Sequence, residues 1–231
     1  MENINFCVII VAGGSGKRFG ADIPKLLVEL AGKPIIFYTI RNVAKSHTNR
    51  IVLVVPEGYE SRFDEIAKNA ISGEKPIYIT TGGVHRSDSV RKGLEKLREH
   101  CSDEDIVLIH DGARPLASPQ LFDRCAEYTK NKYAVITALP IVETVKIVEN
   151  NIVLDTPPRE KFWTAQTPQG FLYKIINDAL ANDDDFTDDA AACEKLGHKV
   201  AVIMGERENI KITTPQDLYI AEKLIRKRYN R

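Results

Sequence analysis

A short stretch near the start of the chain combines an apolar β-branched run, a glycine-rich turn and several cationic side chains. Glycine reaches positive φ at no steric cost and lets backbone N–H groups come close to a ligand, so such a turn suits a chain of phosphates. Lysine and arginine beside it add charge-assisted hydrogen bonds. The run covers residues 8–12, and the residues after it that carry this pattern are Gly13, Gly14, Gly16, Lys17, Arg18 and Lys25.

Two familiar phosphate-binding motifs do not fit this turn. The P-loop pattern needs glycine where Val11 stands and serine or threonine where Arg18 stands, so the hydroxyl that binds magnesium is missing. The dinucleotide pattern finds Phe19 at its third glycine, and no acidic residue ends a strand at the distance that ribose binding requires. The turn therefore belongs to another class of phosphate site, or is a tight turn without a ligand.

The composition limits the partners and the compartment. The 231 residues include 32 cationic and 32 anionic side chains, so no global field attracts nucleic acid or a membrane surface. The four cysteines are scattered without metal-binding spacing, which favours reduced and mostly buried thiols. Residues 1–5 lack the basic n-region of a signal peptide, and no apolar run is long enough to span a bilayer. We expect a cytoplasmic protein.

Apolar runs rich in β-branched residues alternate with stretches of helical period, which is typical of a parallel sheet with helical crossovers. We therefore predict one domain over 1–231, an α/β Rossmann-like three-layer domain with a mostly parallel twisted sheet. The predicted helices begin at Pro34, before Val90, at Ser118, at Asp188 and at Pro215. One further helix is predicted near 171–182. The predicted strands are 6–11, 51–55, 76–80, 106–110, 134–139, 199–204 and 210–212.

The alternation stops between about 141 and 163. Extended segments interrupted by Asn150-Asn151 and Pro157-Pro158 predict a protruding β-arm there. Its apolar residues favour packing against a second subunit, so we expect a homodimer, with a surface hairpin as the alternative. These residues are Val142, Val145, Ile147, Ile152 and Leu154.

Ligands of open parallel sheets bind beyond the carboxyl ends of the strands. The glycine-rich turn, the Gly82-Gly83 turn and the segment after His110 all follow predicted strands, so they share one edge of the sheet. Each polar residue there also has a structural explanation, such as a helix cap or a local ion pair. Together with the glycine-rich turn they predict a pocket with two anionic subsites, and they are Arg86, Asp88, Ser89, Asp111, Arg114 and Lys211.

From about Phe6 to Arg226, the chain resembles the 2-C-methyl-D-erythritol 4-phosphate cytidylyltransferase family of the sugar-phosphate nucleotidyltransferases. The turn GGSGKRFG with Pro24-Lys25 is common to the wider group. The more specific motifs are GGVHRSDSV at 82–90, HDGARP at 110–115, VETVK at 142–146, WTAQTPQGF at 163–171, FTDDAA at 186–191 and NIKITTPQDL at 209–218.

The resemblance implies a role for individual residues. Arg18 and Lys25 would bind the phosphates of CTP, and Lys211 would face the polyol phosphate. We expect these three cations to surround the α-phosphate as the catalytic residues. The CTP pocket would be formed by Ala12, Gly13, Gly14, Gly16, Gly83, Val84, Ser89 and Gly112. The polyol phosphate would face Asp111, Arg114, Thr144 and Thr167, with Arg159 reaching the site of the neighbouring subunit. The chain departs from the family pattern at Val11, where many members have proline or alanine, and at Gly112, where alanine is usual. Val84 stands where an acidic residue is often found, which puts one side-chain contact to the nucleotide in question.

The chemistry follows from the reactants. A phosphomonoester is already a nucleophile, so no Ser, Cys or His needs activation, and catalysis consists of alignment and charge neutralisation. Mg²⁺ would be bound mainly through the substrate phosphates, with no dedicated protein site; Asp111 is the nearest candidate ligand, and its alternative role is to bind a substrate hydroxyl. The expected function is transfer of CMP from CTP to 2-C-methyl-D-erythritol 4-phosphate. The alternatives are ribitol 5-phosphate or another sugar phosphate as acceptor, and a non-catalytic nucleotide-binding protein.

Overall fold

The computed structural model describes residues 4–13, 23–71, 75–181 and 186–229. Its strands are β1 (Phe6–Val11), β2 (Glu29–Leu30), β3 (Lys33–Pro34), β4 (Arg50–Val55), β5 (Ile77–Thr81), β6 (Ile106–Asp111), β7 (Ala134–Pro140), β8 (Ile147–Glu149), β9 (Ile152–Asp155), β10 (Trp163–Leu172) and β11 (Ala201–Met204). Its α-helices are α1 (Ile35–Ala44), α2 (Glu60–Ala70), α3 (Arg86–Leu97), α4 (Pro119–Lys132), α5 (Tyr173–Ala179), α6 (Asp189–Lys195) and α7 (Pro215–Tyr229).

Seven of these strands form one sheet in the order β11-β7-β10-β6-β1-β4-β5. Every neighbouring pair is parallel except the two that involve β10, which runs antiparallel to both β6 and β7. The carboxyl ends of β1, β4, β5 and β6 therefore lie at one edge of the sheet. The predicted mostly parallel α/β sheet is confirmed.

Helices cover both faces of this sheet. Along β1, the side chains of Val8 and Ile10 pack in one apolar cluster and that of Ile9 in the other, because successive residues of a strand point to opposite faces. Helices α1, α2, α4 and α7 contribute to the first cluster, and α3, α5 and α6 to the second. This is the three-layer arrangement that the sequence predicts, and it explains why β1 and β4 read as continuous apolar runs.

Several predicted helix starts are found where the sequence places them. Ser118 caps α4, and its hydroxyl oxygen accepts a hydrogen bond from the Leu121 backbone N–H at 3.1 Å. Asp188 caps α6 in the same way, accepting from the Ala191 N–H at 3.0 Å. Short polar side chains are favoured at these positions because they satisfy backbone donors that the helix leaves open.

The prediction of a helix over 171–182 is wrong at its start. Strand β10 runs through Leu172, and the helix begins only at Tyr173 and ends at Ala179. Pro168 lies inside β10, where proline cannot donate to a ladder, and the register with β7 shifts between Ala165 and Gln169. Because of this irregularity, the sequence pattern does not reveal that β10 is a strand, which lies antiparallel between β6 and β7.

The predicted strand at Ile210–Ile212 is also not formed. The Ile212 N–H donates to the Ala113 carbonyl at 2.9 Å, but the Ile210 N–H bonds locally to the Glu208 carbonyl at 2.8 Å. One inter-segment hydrogen bond does not make a ladder, so Lys211 lies on an irregular segment beside the end of β6. The buried side chain of Ile212 anchors that segment in the core.

The predicted arm contains the hairpin β8–β9. Asn150 and Asn151 connect its strands, with φ of 48° and 64°. Asparagine tolerates positive φ, and two such residues in succession suit a tight two-residue hairpin turn. The hairpin exposes its apolar side chains, with Ile152 66% and Leu154 59% accessible. The arm therefore presents an uncovered apolar surface.

Two observations bear on the expectations from composition. Cys7, Cys125 and Cys193 are buried, Cys101 is partly exposed, and all four thiols are free. Within the four described ranges, no helix combines the length and apolarity needed to cross a membrane.

Candidate active site

A cavity of about 310 Å³ lies at the carboxyl edge of the sheet, a size suited to a small molecule. The turns after β1, β5 and β6 form its wall, together with the segments around residues 25 and 211. Its lining residues are Val11, Ala12, Gly13, Lys25, Leu26, Gly83, Val84, His85, Arg86, Ser89, Asp111, Gly112, Ala113 and Lys211.

A second cavity, of about 270 Å³, lies beside the first. Arg86, Asp111 and Lys211 line both, so these three side chains separate two adjoining spaces. The rest of the second wall comes from Arg114, from β10 and from the start of α6: Ala165, Gln166, Thr167, Gln169, Thr187 and Asp188. The sequence predicts two anionic subsites at this edge of the sheet, and the structure has two neighbouring cavities there.

The structure brings most of the predicted site residues together. In the first cavity are Ala12, Gly13, Lys25, Gly83, Val84, Ser89, Asp111, Gly112 and Lys211, and the second adds Arg114 and Thr167. Gly14, Gly16 and Arg18 lie outside the described residues. Thr144 and Arg159 line neither of these two cavities; both lie in the arm, where a guanidinium nitrogen of Arg159 donates to the Val142 carbonyl at 2.7 Å.

Ser89 explains why glycines stand on two sides of the first cavity. Its hydroxyl oxygen accepts from the Gly83 N–H at 3.2 Å, and its proton is directed to the His85 carbonyl at 3.3 Å. A Cβ on Gly13 would lie 3.2 Å from this oxygen, and one on Gly82 only 2.8 Å. The small residues therefore let β1 and the turn after β5 close on the first turn of α3.

Gly112 and Val84 are two of the three departures from the family pattern. A Cβ on Gly112 would lie 2.7 Å from a methyl carbon of Leu26 and 3.0 Å from the Val11 carbonyl oxygen, so Leu26 occupies the space that an alanine needs. The Val84 side chain is 93% exposed at the cavity rim.

Asp111 is the centre of an ionic cluster. One carboxylate oxygen lies 2.9 Å from the Lys211 ammonium and 3.5 Å from Nε of Arg114, and the other lies 3.4 Å from Nε of Arg86. Burial alone would raise the pKa of Asp111, but the charges of Arg86, Lys211 and Arg114 outweigh it and hold that pKa well below its usual range. The carboxylate is therefore ionised throughout the physiological range.

Arg86 forms a bidentate ion pair with Asp189. Two guanidinium nitrogens donate to the two oxygens of this buried carboxylate, each at 2.7 Å. Burial would lower the pKa of Arg86, but the charges of Asp189 and Asp111 overcome it and raise the pKa, so the guanidinium stays charged. A bidentate pair fixes the plane of the guanidinium as well as its place. The motif FTDDAA contains Asp189, although nothing in the sequence pairs it with Arg86.

The charge balance around the two cavities is positive. Lys25, Arg86, Arg114 and Lys211 contribute four positive charges, and Asp111, Asp188 and Asp189 contribute three negative ones. Lys25 also donates to the Ile212 carbonyl at 2.8 Å, which ties it to the segment that carries Lys211. The described residues therefore leave a net positive site for anionic ligands.

His110 gives a prediction for the pH dependence of stability. Burial lowers its pKa from 6.5 to about 4, against the opposing charge of Asp111. Between these values the unfolded chain binds a proton that the folded chain does not, so the free energy of unfolding falls as pH drops through this window, by about 3 kcal/mol for this group. Urea unfolding at pH 7, 5.5 and 4 measures the fall. In His110→Asn the fall should be smaller, and an equal fall would contradict the assignment.

Comparison with known proteins decides the family. The family model for 2-C-methyl-D-erythritol 4-phosphate cytidylyltransferase matches residues 6–227. The chain belongs to this family. The enzyme of that name from Microcystis aeruginosa is 42% identical over 228 residues, which cover 96% of this chain and 99% of the relative. The one from Alkaliphilus oremlandii is 41% identical over 235 residues, covering 99% and 98%.

Solved structures of the family agree with the fold. The 4-diphosphocytidyl-2C-methyl-D-erythritol synthase of Anaerococcus prevotii superimposes with a TM-score of 0.82 at 30% identity, covering 97% of both chains. The 2-C-methyl-D-erythritol 4-phosphate cytidylyltransferase of Thermus thermophilus gives 0.76 at 30% identity, covering 95% of this chain and 98% of its own. The family match spans the residues of both cavities and the arm. It favours 2-C-methyl-D-erythritol 4-phosphate as the acceptor, rather than ribitol 5-phosphate or another sugar phosphate.

Proposed function

We propose that this chain transfers CMP from CTP to 2-C-methyl-D-erythritol 4-phosphate and releases pyrophosphate, the activity for which its family is named. The observation that carries the proposal is the pair of adjoining cavities that share Arg86, Asp111 and Lys211. A transfer between two phosphorylated reactants needs two sites whose common boundary is cationic, because the reacting groups repel each other there.

CTP is assigned to the first cavity. There the glycines after β1 and β5 leave the backbone open to a ligand, and Arg86 and Ser89 from the first turn of α3 line the same space. The polyol phosphate is assigned to the second cavity, where Arg114 and Asp111 offer a cation and an acceptor for hydroxyl groups. The phosphate of the acceptor then meets the α-phosphate of CTP at the shared wall.

The reaction needs electrostatic help rather than an activated nucleophile. An oxygen of the acceptor phosphate attacks the α-phosphorus, a new P–O bond forms, and pyrophosphate leaves with the electrons of the broken bond. Lys25 and Lys211 neutralise charge on the phosphates, and Arg18 is assigned the same role from sequence. When Lys211 turns toward the phosphate, Asp111 still has Arg86 and Arg114 as partners, so the exchange leaves no isolated buried charge.

Magnesium is proposed to arrive with the nucleotide. Among the described residues no group of three or more His, Cys, Asp or Glu side chains could hold a metal ion. The Asp111 carboxylate is already neutralised by three cations, so it does not fit as a magnesium ligand. The ion, when bound through phosphate oxygens, supplies additional charge neutralisation.

Incubation with CTP, Mg²⁺ and one acceptor at a time tests the function. Pyrophosphate release and the product mass are measured with 2-C-methyl-D-erythritol 4-phosphate, ribitol 5-phosphate and other sugar phosphates. Fast release with the first acceptor alone supports the proposal. Preference for ribitol 5-phosphate would reassign the acceptor, and CTP binding without turnover on any acceptor would indicate a non-catalytic nucleotide-binding protein.

We further propose that the arm joins two copies of the chain. The support is its exposed apolar surface on β8 and β9, which a second arm would cover. In that arrangement Arg159, which lines neither of the two cavities of its own chain, reaches the second cavity of the partner. The free thiols described above support a reducing, cytoplasmic location.

The Arg159→Ala variant tests the arm. We expect it to raise KM for the polyol phosphate about tenfold, the effect of one lost charge-assisted hydrogen bond, with little change for CTP. Mixed dimers of Arg159→Ala with Lys25→Ala give the sharper result. If Arg159 acts across the interface, the mixed dimer keeps one intact site, whereas action within one chain leaves both sites defective.

A further inference from the structure

His110 is buried and directly precedes Asp111, which lines both cavities, and the proposed chemistry does not use it. It is the last residue but one of β6 and is 0% exposed. Its ring packs edge-on against Phe122, with centroids 4.8 Å apart and planes at 69°. A fully buried imidazole needs a hydrogen-bond partner at each nitrogen, so the partners reveal what the residue holds in place.

The partners determine which nitrogen carries the proton. Nε2 lies 3.2 Å from the Arg114 carbonyl oxygen, which can only accept, so Nε2 is protonated and donates. Nδ1 lies 2.9 Å from the Thr167 hydroxyl oxygen. Because the buried imidazole is neutral, Nδ1 is unprotonated and accepts the hydroxyl proton of Thr167.

The same hydroxyl oxygen accepts from the Asp111 backbone N–H at 3.0 Å. One directed chain therefore runs from the Asp111 amide through the Thr167 hydroxyl to His110 and on to the Arg114 carbonyl. It binds the backbone of Asp111 and Arg114, two of the residues that are assigned to the polyol phosphate. Thr167 is 4% exposed, and its single hydroxyl proton is already committed to His110.

We propose that His110 and Thr167 are positioning residues, which set Asp111 and Arg114 at the wall of the second cavity. Thr167 accordingly does not donate its hydroxyl proton to the substrate, unlike the direct contact that the family resemblance implies. The role of the pair in catalysis rests on the proposed function. The hydrogen-bonded chain itself does not, and it can be tested separately.

Matched variants at Thr167 test the kinetic consequence. Thr167→Val keeps the shape but removes the hydroxyl, and we expect it to raise KM for the polyol phosphate about tenfold with KM for CTP little changed. Thr167→Ser keeps the hydroxyl and should stay close to the unmodified chain. Thr129→Val is the control, because it removes a buried hydroxyl that bonds only within α4. An unchanged KM in Thr167→Val would overturn the proposal.

A ¹⁵N NMR spectrum of the imidazole provides a readout that needs no activity. We expect the His110 signals of a neutral ring with the proton on Nε2, and we expect Thr167→Val to shift the Nδ1 signal. A proton on Nδ1, or an unmoved Nδ1 signal, would overturn the assignment even if the protein turned over no substrate. A raised KM with an unmoved signal would instead indicate direct contact between Thr167 and the substrate.

A second inference concerns the opposite end of the sheet. The sulfur atoms of Cys7, near the start of β1, and Cys101, in the segment before β6, lie 3.5 Å apart. Cys101 is partly exposed, whereas Cys7 is buried among apolar residues. The hydrogen bond from Cys101 lowers the pKa of the Cys7 thiol, helped by Arg50 and opposed by burial, and the same hydrogen bond raises the pKa of Cys101. A thiol of lowered pKa beside a second thiol and an arginine is an arrangement that favours thiol–disulfide exchange.

The geometry points to a redox site at which Cys7 and Cys101 form a disulfide with a low-molecular-weight disulfide as oxidant. One protein thiolate attacks the oxidant and releases the first small thiol. The second protein thiolate then displaces the remaining half as the second small thiol. Two cysteines are thereby oxidised and one disulfide is reduced, and the new bond joins β1 to the segment before β6, remote from both cavities.

Treatment with oxidised glutathione tests this site. We expect a mass lower by two hydrogen atoms, a cross-linked peptide containing Cys7 and Cys101, a higher Tm than after dithiothreitol, and unchanged CTP binding. Cys7→Ser should instead keep a stable glutathione adduct on Cys101. Absence of the cross-linked peptide, or a lasting adduct on the unmodified chain, would contradict the inference.

Discussion

Lys211→Ala should lower kcat by at least about 10²-fold, which corresponds to about 3 kcal/mol of lost transition-state stabilisation. Lys211 belongs to the wall shared by the two cavities, so its ammonium can act on the phosphates of both reactants. The fold should persist, because Asp111 keeps Arg86 and Arg114 as partners. Pyrophosphate release at saturating CTP and polyol phosphate measures the effect.

Lys25→Ala should lower kcat by a similar factor, about 10²-fold. Its ammonium lies in the first cavity and also holds the Ile212 carbonyl, so its removal withdraws one charge and loosens the segment next to Lys211. Lys174→Ala is a suitable control, since that side chain is 60% exposed and pairs with Asp178 on the surface. Near-normal turnover in either cavity variant would show that its assigned role is wrong.

Arg86→Met should have the largest effect on stability, a loss of about 3–5 kcal/mol in the free energy of unfolding. The substitution keeps most of the side-chain volume but leaves the Asp189 carboxylate, 1% exposed, without its bidentate partner. It also removes one of the three cations around Asp111. Urea unfolding at neutral pH, followed by circular dichroism, measures the loss.

Two further variants show whether the buried pair is the cause. In Arg86→Met with Asp189→Asn the uncompensated charge is gone, so part of the lost stability should return. Arg62→Met removes an exposed arginine from its pair with Glu65, and such pairs contribute at most about 1 kcal/mol. If Arg86→Met were as mild as Arg62→Met, the buried pair would not stabilise the site.

Much of the sheet could be predicted from local sequence. Strands such as β1, β4 and β6 are covered on both faces, so they appear as unbroken apolar runs that need no knowledge of their neighbours. Strand β10 could not be predicted in this way. Its position depends on antiparallel pairing with two distant strands, and Pro168 argues locally against a strand.

The candidate site likewise contains residues that local sequence predicts and residues that it does not. Glycines and cations after strands predict which edge of the sheet binds a ligand, because topology brings those ends together. The pairing of Arg86 with Asp189 spans 103 residues, and that of His110 with Thr167 spans 57. No local pattern encodes such contacts. For this reason, the sequence identifies the residues that face the ligand more readily than those that hold them in place.

The central claim is that cations from distant parts of the chain converge on one reacting phosphate. A crystal structure with a non-hydrolysable CTP analogue and 2-C-methyl-D-erythritol 4-phosphate tests it most directly. We predict the ammonium groups of Lys25 and Lys211 within hydrogen-bonding distance of phosphate oxygens, about 3 Å. An analogue bound in the first cavity with either ammonium directed away into solvent would contradict the account.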